Sequence, residues 1–590
     1  MRALTTWIGL FMLMVAGGCR LSPERQLEVE ASVHQVRDRA LTCPPEQDDR
    51  CAMPSALWAL GDAPQPHVAL LEHGGDALLA RLHAIRTARR SIELQTFIFV
   101  ADDAGNLLLT ELLEAARRGV KVRILIDQLY AFEDADFLAG VATAHQNLEI
   151  KVYNPTFGKG ETSLFDFAGS LVCCFQEFNH RMHNKVFVVD DRIGITGGRN
   201  VQNRYYGWDP QFNYLDRDVL VLGEVARTIR ESFDEYWVHP RTVHAEYLLD
   251  VAEQILNGVA QAPQLSMQQL PHARAMAAAA GSQAALADRL LPLLVPVHAV
   301  EYFADPPDKL FDKNAREVRD ITLRLRELIA TARHSVIMQT PYLVFTRRAT
   351  RLFARLRREH PDIQLLISTN SLASTDAYPV YAVSRKRRKP LLKSLGFHIY
   401  ELKPHPADLS YWFPPGEGRA APGDPSMLNS FPLETSAERA SLHGKTLVID
   451  GLITVIGSHN FDPRSEDYNT ESGLIIVDRE IADVASREIL RATQSGNAWV
   501  VARAPQVPVM SFFSGIIGSV SRRLPIGDIW PFRYATSYDL IPGNEPVPPD
   551  HPEFQERYRN VGEFPGVNLS LKQIQTQLIS AFAGFVKPIL

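Results

Sequence analysis

One pattern occurs twice in this chain, and any fold the chain adopts must accommodate it twice. His183-Asn-Lys185 leads through four largely apolar residues to Asp190, and His443-Gly-Lys445 leads in the same way to Asp450. Six residues after each aspartate comes a second cluster, Gly197-Gly198-Arg199-Asn200 in one case and Gly457-Ser458-His459-Asn460 in the other. Both stretches therefore read H-x-K-x-x-x-x-D and then G-[GS]-x-N. At about one residue type in twenty per fixed position, five fixed residues recur by chance in roughly one of several million windows. The pair is read as the active site.

The residues inside the pattern predict its local structure. Val186 to Val189 and Thr446 to Ile449 are rich in β-branched side chains. Turn residues follow at Asp190-Asp191-Arg192 and Asp450-Gly451, then second apolar runs at Ile193–Thr196 and Ile453–Ile456. Each copy is thus a strand, a tight turn and a strand. Residues two apart on a strand share a face, so His183 and Lys185 project together, as do His443 and Lys445. An imidazole beside a fixed cation suits a phosphate.

The duplication extends beyond the motif. Ile85-Arg-Thr-Ala-Arg-Arg-Ser-Ile-Glu-Leu-Gln95-Thr96 returns as Ile329-Ala-Thr-Ala-Arg-His-Ser-Val-Ile-Met-Gln339-Thr340, and Val122–Ile126 returns as Ile363–Ile367. Helical and strand-like periods alternate in both copies, which predicts an α/β architecture.

The twice-repeated motif resembles the signature of the phospholipase D superfamily, over about Ala77 to Arg503. The narrower resemblance is to bacterial cardiolipin synthases, through Arg181-Met-His-Asn-Lys185, Thr340-Pro341-Tyr342, Thr369-Asn370-Ser371-Leu-Ala-Ser-Thr375-Asp376 and Asn460-Phe-Asp462-Pro463-Arg464-Ser465 leading to Glu471. The resemblance implies two tandem homologous domains, each a mixed sheet flanked by helices, with the active site at their pseudo-twofold interface. It implies a catalytic set of His183, Lys185, Asp190, His443, Lys445 and Asp450. His183 attacks phosphorus and His443 does the acid/base work, although two near copies leave the reverse assignment open. Lys185, Asn200, Lys445 and Asn460 are expected to hold the phosphate oxygens as charge builds, so no metal or other cofactor is expected. A neutral imidazole also needs an acceptor on its second nitrogen. Glu471 and Asp216 are the candidates by motif alignment, with Tyr205-Tyr206-Gly207-Trp208-Asp209 inserted ahead of Asp216. Asp190 and Asp450, which end their strands at turns, are read as braces within the motif.

The expected organisation is a signal peptide at 1–18, a tether at 19–66, a first phospholipase D-like domain at 67–257, a linker at 258–304, a second domain at 305–504 and an extension at 505–590. Arg2, the short apolar run Trp7–Val15 and Ala16-Gly17-Gly18 before Cys19 resemble a bacterial lipoprotein signal, which predicts acylation of Cys19. Ala16 stands where leucine is usual, so a plain secretory signal or an uncleaved anchor stays open. A periplasm-facing envelope lipoprotein is expected. Export would permit disulfides among Cys43, Cys51, Cys173 and Cys174, with Cys43–Cys51 the favoured pair.

Phospholipids and a membrane are the expected partners. A net charge of -6 and a pI near 6.3 provide no global field for nucleic acid. The basic run Ser384–Lys389 with Arg347, Arg348 and Arg351 is either an anionic-lipid contact or a solvated face. The long irregular stretch Lys403–Ser441 is either a wall of the site or a surface insertion. Apolar stripes at Met510–Val520 and Leu571–Val586 are amphipathic helices, for docking on the protein's own core or on a membrane. The favoured activity is phosphatidyl transfer through a phosphohistidine, forming cardiolipin from phosphatidylglycerol and a second phospholipid. The alternatives are hydrolysis to phosphatidic acid and, more distantly, a metal-independent phosphodiesterase or nuclease.

Overall fold

The computed structural model describes residues 21–43, 51–131, 135–162, 166, 169–170, 173–258, 271–312, 321–414, 438–505 and 534–567. The expected signal, Cys19, both C-terminal amphipathic stripes and most of the irregular stretch before His443 lie outside them.

The strands of the first half are β1 His67–Leu71, β2 Ser91–Phe99, β3 Lys121–Ala131, β4 Leu148–Tyr153, β5 Val186–Val189, β6 Ile193–Gly197, β7 Phe212–Leu215, β8 Asp218–Leu222, β9 Thr242–His244 and β10 Val295–Pro296. Those of the second are β11 Ala299–Ala304, β12 Ser335–Gln339, β13 Gln364–Asn370, β14 Phe397–Leu402, β15 Arg439–Leu442, β16 Thr446–Ile449, β17 Ile453–Gly457, β18 Ser472–Val477, β19 Ala498–Arg503, β20 Ala535–Leu540 and β21 Tyr558–Gly562. The first sheet runs β10-β1-β8-β6-β5-β2-β3-β4-β9 and the second β11-β18-β17-β16-β12-β13-β14-β19-β20-β21. From β1 to β9 and from β11 to β19 the order is the same, so the duplication read in the sequence is a duplication of topology. Both sheets are mixed: β2-β3-β4 and β12-β13-β14 are parallel, and the motif hairpins pair antiparallel with β2 and β12. Helices Gly74–Thr87 and Asp103–Arg117 in the first half, and Ile321–Ala330 and Arg347–Glu359 in the second, supply the crossovers.

The motif hairpins turn as their residues dictate. Asp190 and Asp191 have φ of 51° and 63°, and Asp450 and Gly451 have 52° and 61°. Two successive left-handed residues match the twist of a tight hairpin, and Asp and Gly tolerate that region best.

Three segments expected to stand apart are built into the body. In the tether region, helix Pro23–Val36 buries Val29 and Val33, and Arg37 donates to the Ala142 carbonyl oxygen at 2.8 Å. The linker region supplies β10 to the first sheet and β11 to the second, so that the second sheet starts at Ala299. The extension region adds β20 and β21 to the second sheet's edge. Cys43 is joined to Cys51, and Cys173 to Cys174.

Candidate active site

The two motifs meet where the halves exchange segments. β15, which ends one residue before His443, runs parallel beside β7 of the first half, and the His443 and Gly444 amides donate to the Leu215 carbonyl oxygen at 2.7 and 3.0 Å. In the reciprocal exchange, the His183 amide donates to the Thr470 carbonyl oxygen and the Thr470 amide to that of Arg181, both at 2.9 Å. Asn184 adds side-chain bonds to the Glu471 carbonyl oxygen at 3.0 Å and the Thr470 hydroxyl at 2.7 Å.

These exchanges cross the carboxylates over. His183 Nδ1 lies 2.8 Å from Glu471 Oε2, and His443 Nδ1 lies 2.5 Å from Asp216 Oδ2. Each histidine is thus held by a carboxylate from the other half, and each half alone would lack one member of each pair. The inserted Tyr205–Asp209 segment does not displace Asp216 from its histidine.

The electrostatics favour neutral imidazoles beside ionised carboxylates. Burial pushes the His183 imidazole down to about 3, with Glu471 opposing and Lys185 assisting. Burial also lowers His443, assisted by Lys445 and opposed by Asp216. Burial would raise both carboxyls, but the paired histidines and the two lysines hold Glu471 and Asp216 well below the usual carboxylate range. A carboxylate on Nδ1 fixes Nδ1–H and leaves Nε2 with its lone pair toward the reaction space.

Lys185 Nζ donates to the His183 carbonyl oxygen at 2.7 Å, and Lys445 Nζ to that of His443 at 2.5 Å while lying 3.0 Å from His443 Nε2. Burial pulls Lys185 down to about 7 and Lys445 to about 8. Burial outweighs the carboxylates around them, so an anion set between the two lysines would favour their charged forms.

The expected asparagines are not equivalent. Asn460 is buried with Oδ1 unpartnered among the described residues, whereas Asn200 Nδ2 donates to the Tyr205 hydroxyl at 2.8 Å and its Oδ1 accepts the Ile98 amide at 3.1 Å. Asn200 holds Tyr205, whose ring stands edge-on to His443 at 5.1 Å.

Asp190 and Asp450 do not join the cluster. Asp190 accepts the amides of Arg89, Arg90 and Ser91, each at 2.7 Å, and Asp450 those of Arg333, His334 and Ser335 at 2.8–2.9 Å. Each stands seven residues along an extended chain from its histidine, roughly 20 Å at about 3.3 Å per residue. Their membership of the catalytic set is corrected to that of braces, which tie each hairpin to the start of the neighbouring parallel strand.

The Gly/Ser alternation in the second cluster also has a cause. A Cβ on Gly198 would lie 2.1 Å from Asp216 Oδ1, so this position must be bare for Asp216 to reach His443. Its counterpart Ser458 instead donates its hydroxyl to Glu471 Oε2 at 2.5 Å. The invariant member of the pair, Gly197 or Gly457, lies against the backbone of the adjoining strand segment, where a Cβ would meet a carbonyl oxygen at 2.5 or 2.3 Å.

Four residues near the motif went unassigned in the sequence. Phe97 packs edge-on against His183 at 5.0 Å. On the other side Tyr214 lies 5.0 Å from His443, and Tyr214 and Tyr342 both donate to Asp376. Tyr342 and Asp376 lay inside the quoted likenesses, but only the folded chain brings them together. The basic run Ser384–Lys389 is largely spent internally: Arg388 pairs with buried Glu401, Arg385 with Glu563, and Arg387 with the Phe345 carbonyl oxygen. Arg347, Arg348 and Arg351 are exposed. The described ends of the irregular stretch pack Trp412 and Phe413 against Leu215 and Leu442, under the strand that delivers His443.

The chain matches the family profile described as "Cardiolipin synthase, PLD-like domain" over residues 82–237 and 325–492, together more than half its length. It is 30% identical over 431 residues to cardiolipin synthase C of Escherichia coli, covering 73% of this chain and 85% of that one. An uncharacterised protein of Helicobacter pylori is 30% identical over 478 residues, covering 77% and 88%. Among solved structures, phosphatidylserine synthase of Haemophilus influenzae matches with a TM-score of 0.45 at 14% identity, covering 79% of this chain and 91% of that one.

Proposed function

The chain belongs to the cardiolipin synthase-like family of the phospholipase D superfamily, and from that premise we propose that it transfers a phosphatidyl group between alcohols through a phosphohistidine. The reading rests on the two crossed histidine–carboxylate pairs, each with its own buried lysine.

A phosphodiester resists attack because its non-bridging oxygens repel nucleophiles and its alkoxide leaves poorly. Lys185 and Lys445 meet the first difficulty, with Asn460 beside them, by holding those oxygens as negative charge accumulates. His183 Nε2, kept neutral by burial and oriented by Glu471, forms a bond to phosphorus. The bound phosphodiester anion favours the charged imidazole, so His443 takes up a proton on Nε2 as the lipid binds and, steadied by Asp216, gives it to the departing alkoxide. In the return half, His443 takes a proton from the incoming alcohol as its oxygen bonds to phosphorus and the P–N bond breaks. With phosphatidylglycerol as donor and as acceptor the product is cardiolipin; with water it is phosphatidic acid.

Mass analysis of lipids from the purified protein and its His443→Ala variant, given phosphatidylglycerol with and without phosphatidylethanolamine, tests this reading. Cardiolipin from the wild type alone is expected. Phosphatidic acid without cardiolipin would make the protein a hydrolase.

From the likeness of residues 1–19 to a lipoprotein signal, and from that alone, we propose that it faces the periplasm in the bacterial envelope, held by acyl chains on Cys19. Metabolic labelling with an alkynyl fatty acid should mark the wild type and not Cys19→Ser; equal labelling of both would remove the anchor.

A further inference from the structure

The two walls of the site have diverged although its floor is duplicated. Gln339-Thr340-Pro341-Tyr342, at the end of β12, repeats the position of Gln95-Thr96-Phe97-Ile98, in the last residues of β2. On the first-half side this segment gives an apolar ring against His183. On the second-half side it gives a phenol, and Tyr342 Oη donates to Asp376 at 3.0 Å to Oδ1 and 3.1 Å to Oδ2. Tyr214 Oη donates to Asp376 Oδ2 at 3.1 Å. Tyr214 in turn lies 4.7 Å from Tyr205 with the rings tilted by 32°, and both rings flank His443.

Asp376 is half-buried, and its side-chain partners among the described residues are the two phenols. Its charge reaches both His443 and Lys445. Two phenols hold the carboxylate in place, and a carboxylate with about four acceptor directions keeps capacity for a further donor. Two phenols and a carboxylate whose charge already acts on Lys445 and Arg439 suit a neutral ligand carrying several hydroxyls. A site built to bond hydroxyls discriminates strongly against an analogue that lacks them, because its polar groups are then left unpaired.

We infer that Asp376, Tyr342 and Tyr214 form a polyol subsite beside His443, which receives the vicinal hydroxyls of a glycerol-type alcohol while its reacting hydroxyl faces the imidazole. This rests on the transfer reading above. In the transfer step the alcohol oxygen bonds to phosphorus, its proton passes to His443 Nε2, and the P–N bond breaks with its electron pair returning to His183. Microscopic reversibility makes the same subsite hold the departing glycerol of the donor lipid.

The test is a competition between acceptors. Full-length protein in mixed micelles with phosphatidylglycerol is offered deuterated glycerol and 1-propanol together, and deuterated phosphatidylglycerol and phosphatidylpropanol are counted by mass spectrometry. The wild type should favour glycerol, and Asp376→Asn should lower the product ratio by at least about tenfold, or about 1.4 kcal/mol of discrimination. Tyr342→Phe, which keeps the ring and guards against loss of folding, should lower it by about threefold. A ratio unchanged in both variants, with both products falling together, would make the cluster a structural prop and overturn the inference alone. A wild type indifferent to the two alcohols would do the same. A wild type that releases only phosphatidic acid would overturn the transfer reading together with this one.

Discussion

Each imidazole draws its usefulness from a residue more than two hundred positions away. Glu471 keeps Nδ1–H of His183 engaged, which presents Nε2 as the nucleophile. Glu471→Gln should therefore lower lipid turnover by roughly 10²–10⁴-fold with little change in melting temperature, and Asp216→Asn should do likewise through His443. Rates within threefold of the wild type would deny the carboxylates their role. The lysines carry a pH signature. Burial pulls Lys185 down to about 7 and Lys445 to about 8, so both lose protons as pH rises through that range. An anion favours the charged ammonium and raises both values, so its binding takes up protons, and affinity falls as pH climbs from 7 toward 9. Calorimetry with glycerophosphoglycerol, a diester of constant charge over that range, in two buffers of different ionisation enthalpy should show net proton uptake at pH 8. Enthalpies that ignore the buffer would mean that the lysines stay fully charged. The spacing exposed these histidines and lysines because the pattern repeats without change, although they stand just ahead of β5 and β16 rather than on a strand face. It named the two carboxylates without showing which histidine each meets, since that is decided by chain exchange between the halves.

At the level of elements, the hairpins were legible because their pattern is local: β-branched strands, then Asp-Asp or Asp-Gly in the left-handed region. The pairing of β7 with β15 was not legible, because each has four residues and the partner belongs to the other half. Nor were β20 and β21, whose edge positions leave only a weak apolar pattern. The approach of β6 to the Asp216 segment gives an asymmetric prediction. Gly198→Ala places a methyl group where Asp216 Oδ1 now sits, and that carboxylate is held by the Arg217 amide on Oδ1 and by His443 on Oδ2, so moving it aside costs those bonds. Ser458→Ala removes one hydroxyl bond from a carboxylate that keeps its histidine. Gly198→Ala should cost at least about tenfold more activity than Ser458→Ala, because it removes the acceptor that orients His443, whereas Ser458→Ala removes one hydrogen bond of roughly 1 kcal/mol. Steady-state kcat of the two variants checks this, and equal losses would show that Asp216 can move aside.

At the scale of the whole molecule, the two homologous halves look in sequence like domains that fold alone, yet their packing argues otherwise. One core cluster joins Val186, Val188, Val219, Val221, Phe233 and Tyr236 of the first half to Tyr302, Val448, Ile456, Leu474, Ile476 and Ile489 of the second. Each large apolar side chain in it gains on the order of 1.5–3 kcal/mol from burial, so separating the halves would expose an apolar face far more costly than a typical interdomain contact. The buried carboxylates compound the cost, since Glu471 and Asp216 would lose the histidines that hold them ionised. Periodicity within either half cannot reveal this, because a residue facing the partner and a residue facing its own helices follow the same alternation along a strand. The expectation is a single cooperative transition in calorimetry of the full chain, with calorimetric and van 't Hoff enthalpies in agreement. Residues 1–297 and 298–590 expressed separately should aggregate or remain partly folded. Two resolved transitions, or a soluble half with native-like near-ultraviolet dichroism, would show that the duplicated units retain independent cores and that only the active site, not stability, requires both.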